Sequence, residues 1–171
     1  MTPLVTDRLS LDPCTPEDAP FILRLLNEPS FLEYIGDKGV RSLEDAEEHV
    51  RSGPMASYAR HGHGLQKVSL RATGELLGMA GLLKRDHLPD ADLGFAFLPE
   101  ATGHGYAFEA GVAVLAHARR ELGHSRTLAI VYPANTRSIR LLERLGFTYA
   151  RTIPAQFGEA ETAVYECHQG A

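Results

Sequence analysis

No run of apolar residues in this chain approaches the ~20 needed to cross a bilayer. The opening "MTPLVTDRLSLDP" has neither the basic block nor the apolar block of a secretory signal. Two cysteines, Cys14 and Cys167, stand near opposite ends, which excludes a disulfide framework and a Cys-x-x-Cys metal knuckle. These absences lead us to expect a reduced, cytoplasmic setting and no membrane partner. Lysine and arginine number 17 against 22 acids, a net charge of −5, and no basic run occurs, so a nucleic-acid partner is not expected. Repeats, linkers and low-complexity segments are missing too. What is present, 171 residues with 44% hydrophobic and 23% charged, suits one folded unit with a real core and is short for two.

The hydrophobic pattern divides the chain. In "LVTDRLSLDP" Leu9 and Leu11 alternate, reading as a strand stopped by Pro13. Thr15-Pro16-Glu17-Asp18 is a helix start, followed by an apolar stripe of Phe21, Ile22, Leu25 and Leu26 that ends around Asn27–Pro29. A second start, Ser42-Leu43-Glu44-Asp45, puts acids where the helix dipole favours them. Beyond residue 65 the grammar turns to β: two short runs around the Thr73-Gly74 turn, then "ADLGFAFL". A helix from about Tyr106 to Leu122, the strand "RTLAIVY", the short helix "NTRSIRLLERLGF" capped by Asn135 and ended by Gly146, and a two-stranded tail follow. The order is β-α-α-β-β-β-α-β-α-β-β, a single α+β domain.

Gly103-His104-Gly105, directly before the long helix, carries the chemistry or merely punctuates. Glycine amides at a helix start can hold phosphate oxygens, because no Cβ keeps the ligand off the backbone. A P-loop is excluded, since Tyr106 follows Gly105 where lysine is required. A dinucleotide fingerprint is excluded as well, because its third glycine would fall at Phe108. By itself the pair supports either the turn or the anion cradle.

Its surroundings narrow the choice. Thr102-Gly103-His104-Gly105-Tyr106-Ala107 fits the loop pattern Arg/Gln-x-x-Gly-x-Gly/Ala except at its first position. Asn135, Ser138, Leu141, Leu142, Gly146 and Phe147 fit Asn-x-x-(Ala/Ser)-x-x-Leu-(Tyr/Leu)-x-x-x-Gly-Phe. With "DLGFAFL" between β-like runs, the chain resembles the GNAT (GCN5-related N-acetyltransferase) superfamily across nearly its whole length. "TDRLSLDPCTPEDA" and "TGELLGMAGL" resemble the branch that includes the ribosomal-protein N-acetyltransferases.

The resemblance implies one N-acetyltransferase domain over residues 1–171, with a mixed central sheet of about six to seven strands flanked by helices. It implies acetyl-CoA as cosubstrate, no metal, and direct acetyl transfer to a primary amine on a protein N-terminus or a small molecule. The backbones of Phe95 and Phe97 would pair with the pantetheine arm, and the Phe97 amide would polarise the thioester carbonyl. Gly103, His104, Gly105, Tyr106 and Ala107 would hold the pyrophosphate, with Thr102 departing from the cationic residue expected there. Asn135 would meet the pantetheine or cap its helix, and Ser138 faces the same way one turn on. Asp92 stands where relatives carry a glutamate base, and its shorter side chain favours a bridging water; His87 is the fallback base. Leu142 occupies the place of the usual tyrosine acid, leaving Ser138, Tyr132 or water to protonate the thiolate. The acceptor would lie against residues about 21–50 and the loop near 85–92, where Glu33, Asp37, Glu44 and Asp45 favour a cationic amine or form only a solvated face. His61-Gly62-His63 reads as a mobile polar loop. Dimers are common in the family. A non-catalytic acyl-CoA sensor, or a structural oligomerisation domain, remains an alternative.

Overall fold

Leu9 and Leu11, the alternating pair of the opening strand, are wholly buried. They lie in β2 (Leu9–Pro13), which pairs with a two-residue β1 (Leu4–Val5). The computed structural model describes residues 1–155 and 160–168. After a 3-10 turn come α1 (Ala19–Leu26), α2 (Pro29–Tyr34) and α3 (Leu43–Val50). At the head of α3, Ser42 and Asp45 cap reciprocally: Asp45 N–H donates to the Ser42 hydroxyl and Ser42 N–H to the Asp45 carboxylate, each at 3.1 Å.

Two helices depart from the expected order. Pro29 begins α2 instead of merely ending α1, because proline is tolerated at the first helical position, where no N–H is needed. A π turn over Arg51–Met55 absorbs Pro54 and runs into α4 (Ala56–His61), so a stretch that the sequence order left without an element is helical.

The remaining strands are β3 (Leu65–Leu70), β4 (Leu76–Leu83), β5 (Asp92–Phe97), β6 (Arg126–Val131), β7 (Thr148–Ile153) and β8 (Thr162–His168). Between them lie α5 (Tyr106–Arg120) and α6 (Thr136–Arg144). One eight-stranded sheet results, in the order β1-β2-β3-β4-β5-β6-β8-β7. That exceeds the expected six to seven strands, chiefly because β1 is too short to show periodicity. All pairings are antiparallel except β5 with β6, and α5 provides the crossover that a parallel pair requires. The buried side of α5, Ala110, Gly111, Val114, Leu115 and Ala118, recurs at helical spacing and packs on the sheet.

Strand β4 sits centrally, with its neighbours very close. A Cβ on Gly81 would lie 2.2 Å from the Gly64 carbonyl oxygen, a backbone atom that cannot swing aside. Gly81→Ala is therefore expected to lower the unfolding free energy in urea by about 1–3 kcal/mol, the usual cost of overpacking. A variant with parental stability would show that the two strands separate freely.

Candidate active site

The phase of the β4–β5 ladder sets the site. Leu98 N–H donates to the Leu77 carbonyl at 2.8 Å, and β4 pairs with β5 from Gly78↔Phe97 to Leu83↔Asp92. In an antiparallel ladder the hydrogen-bonded partners alternate, so the even-numbered residues of β5 bond to β4. Leu93, Phe95 and Phe97 consequently turn their N–H and C=O groups toward β6. Strand β6 meets β5 only at its start: Leu128 N–H donates to the Ala91 carbonyl at 2.9 Å, and Asp92↔Leu128 is the one register pair among the described residues. Beyond it the parallel strands diverge, and the backbones of Phe95 and Phe97 face the gap. Their side chains are half-buried against the main core, so what they offer the gap is backbone.

The gap leads to the glycine loop. Gly103 and Gly105 both have φ of +81°, a left-handed conformation that favours glycine. Residues 103–105 are exposed, and Gly105 is the N-cap of α5. The first amides of α5 have no partner inside the helix and carry its positive dipole end. Thr102 donates its hydroxyl to the Pro99 carbonyl at 2.6 Å, closing the turn rather than addressing the loop. The His104 ring stacks on Tyr106 at 5.4 Å between centroids. Arg8 and Glu109 also meet at this loop, and the sequence reading assigned a role to neither. Each is an isolated charge with no periodicity to mark it, although Arg8 lies inside the quoted "TDRLSLDP".

Asn135 is the helix cap: its Oδ1 accepts from Ser138 N–H at 3.2 Å. Ser138 is half-buried in the first turn of α6. Leu142 is 1% exposed and packs in the core, so no acid group stands in its place.

At the other end of β5, Asp92 is 1% exposed and both its oxygens accept from Arg85 Nε, at 3.1 and 3.2 Å. Burial pushes its carboxyl above the usual carboxylate range, and the Arg85 charge pulls it back only in part. Asp92 and Phe97 are the two ends of β5, five residues apart and so roughly 16 Å along the strand. They are not brought together, and one thioester carbonyl cannot meet both.

Other candidates are placed elsewhere or already engaged. Asp37 pairs with Arg41 at 2.5 Å, and Asp45 is occupied in its capping box, whereas Glu33 and Glu44 have no ion-pair partner among the described residues. His63 is 6% exposed with Nδ1 3.2 Å from the Leu82 carbonyl, packing edge-on against His124; it is not the mobile surface residue expected. Among the described residues no three metal-ligating side chains are arranged to hold an ion. No helix among them is long and apolar enough to cross a membrane.

Residues 8–148 match the family model of the acetyltransferase (GNAT) domain. The chain belongs to the GNAT acetyltransferases. Its sequence is 31% identical over 147 residues to the uncharacterized N-acetyltransferase YoaA of Bacillus subtilis (strain 168), covering 84% of this chain and 81% of that one. The GNAT fold here superposes on the crystal structure of an acetyltransferase from Agrobacterium tumefaciens with a TM-score of 0.83 at 29% identity, over 99% of this chain and 95% of the other. It also shares the fold of RimL, a ribosomal L7/L12 alpha-N-protein acetyltransferase in complex with coenzyme A, with a TM-score of 0.85 at 16% identity over 98% of each chain. GNAT membership supports acetyl transfer from acetyl-CoA as the general chemistry.

Proposed function

We propose that the protein transfers an acetyl group from acetyl-CoA directly to a primary amine within a ternary complex. The observation that carries this reading is the unpaired stretch between β5 and β6, which runs from the glycine loop to Asp92. Backbone groups turned into such a gap need partners, and the two amide units of pantetheine supply them as an added half-strand would. The amides of Gly103, His104, Gly105, Tyr106 and Ala107, at the positive end of α5, hold the pyrophosphate. A pantetheine arm extended from that loop carries its thioester past Phe97 toward Asp92. The Phe95 amide, deeper in the gap, then faces the carbonyl oxygen and stabilises its developing charge, while Phe97 serves the arm.

The amine nitrogen attacks the carbonyl carbon, the C–S bond breaks, and the amine's proton must leave. Asp92 accepts it through a bridging water, because Arg85 covers the carboxylate and bars direct contact. The thiolate leaves tolerably well unassisted and takes a proton from Ser138 or solvent. The opening strand supports a place in the branch of ribosomal-protein N-acetyltransferases, and thus a protein α-amine as acceptor. The small amine is the competing class, and the engagement of Asp37 and Asp45 removes part of the case for a polyamine.

Thiol release from acetyl-CoA, measured across a panel of N-terminal peptides, polyamines and amino acids, tests the proposal. Turnover on at least one amine class is expected. Tight CoA binding without turnover on any acceptor would identify an acyl-CoA sensor instead.

A further inference from the structure

The turn between β1 and β2 brings to the phosphate loop a cation that the loop motif does not contain. Arg8 is held there from several sides. Its Nε donates to Glu109 Oε2 at 2.7 Å, and its backbone N–H donates to Glu109 Oε1 at 2.9 Å. The Thr6 hydroxyl donates to the same Oε1 at 2.6 Å, so Glu109 is fixed as well. The guanidinium lies over the Tyr106 ring, 4.6 Å from its centroid, and Nη1 donates to the His104 carbonyl at 2.9 Å. Nη2 is 3.4 Å from the point a Cβ on Gly105 would occupy, and no acceptor among the described residues engages it.

An ordinary surface ion pair does not require this much. Exposed pairs contribute little because two long side chains must be ordered against solvent, yet here a side chain 47% exposed is fixed by a carboxylate, a carbonyl and an aromatic face. The His104 carbonyl and the Gly105 N–H belong to one trans peptide and point in opposite directions, so fixing one aims the other. Thr102 carries no charge and its hydroxyl is occupied by Pro99.

We propose that Arg8 is the cation of this anion site: Nη2 contacts the pyrophosphate of CoA, and Nη1, through His104, sets the direction of the Gly105 amide. The assignment rests on the CoA-binding reading above and adds a residue from outside the motif. A planar fork suits both tasks, since one nitrogen can hold a carbonyl while another meets an oxyanion.

Calorimetric titration of CoA into the parent protein, Arg8→Ala and Arg8→Lys tests it, alongside binding of pantetheine, which lacks the pyrophosphate, followed by ligand-observed NMR. Arg8→Ala is expected to weaken CoA roughly 10- to 100-fold, the range for a lost charge-assisted contact. Arg8→Lys should recover only part of that loss, and pantetheine should bind all three proteins alike. CoA affinity unchanged in Arg8→Ala overturns the proposal. So does an equal loss for CoA and pantetheine, which would make Arg8 a brace of the fold. Parent protein that fails to bind CoA would refute the cosubstrate reading itself, a result distinguishable from either.

Discussion

Gly105→Val is expected to weaken CoA binding about 100-fold while leaving a folded protein. Two effects combine, and a second variant separates them. The first is conformational: at φ of +81° a side chain carries a left-handed penalty, about 1–2 kcal/mol. The second belongs to the ligand. The new Cβ lies 3.4 Å from Arg8 Nη2, so the branched side chain pushes the guanidinium out of place and is expected to cost the proposed pyrophosphate contact, a charge-assisted interaction of about 1.5–3 kcal/mol. Gly123 gives the control. It has φ of +70°, follows α5 at the opposite end, and meets nothing within 4 Å if a Cβ is added. Gly123→Val should lower the melting temperature about as much as Gly105→Val yet bind CoA like the parent. Equal CoA affinities in the two variants would show that the loop is only punctuation before the helix.

Asp92→Asn should move activity and stability in opposite directions. If Asp92 takes the amine's proton, its removal lowers kcat by about 10²- to 10⁴-fold, with the loss greatest where the parent carboxyl is ionised. Stability follows from linkage. Burial raises the folded-state pKa above the unfolded value near ~3.9. The folded protein therefore binds this proton more tightly, and the contribution of Asp92 to stability is fully present below the unfolded pKa. That contribution is lost as pH rises through the folded pKa. Asparagine has no proton to lose, so the stability of Asp92→Asn relative to the parent should increase from about pH 4 upward and then level off. Urea unfolding across pH checks this, and a pH–rate profile checks the first half. Parental rates at neutral and high pH would remove Asp92 from the proton path and direct attention to His87.

The elements that position the site were legible because they are long or carry strong local chemistry. The stripe of α5, the Ser42 and Asn135 caps and the Thr73-Gly74 turn all act within a few residues, and the structure contains them. The helices α2 and α4 were not legible, since each is six residues long and begins near a proline that reads equally well as a stop. Within the site, the motif located the loop but not its partners. Arg8 and Glu109 are 101 residues apart, and only the fold makes them neighbours. The Asn135 ambiguity was real in sequence, because a capping oxygen and a ligand-facing amide use the same residue; geometry assigns the oxygen to the cap. Asp92 and Phe97 stand at opposite ends of β5, and the strand rise between them is a distance that residue types alone do not display.

The solitary Asp92↔Leu128 pairing has a further consequence. Among the described residues it is the one register pair that joins β1 to β5 with β6, β8 and β7 in the eight-stranded sheet. Side-chain packing holds the halves together, but the hydrogen-bonded ladder does not run through. An occupant of the gap that bonds to β5 supplies rungs the polypeptide leaves out, and so is structural as well as chemical. Empty protein then has a seam along which it can open locally at less than the global unfolding free energy. If CoA fills the gap as proposed, the loaded protein is expected to gain stability in step with its affinity for the occupant.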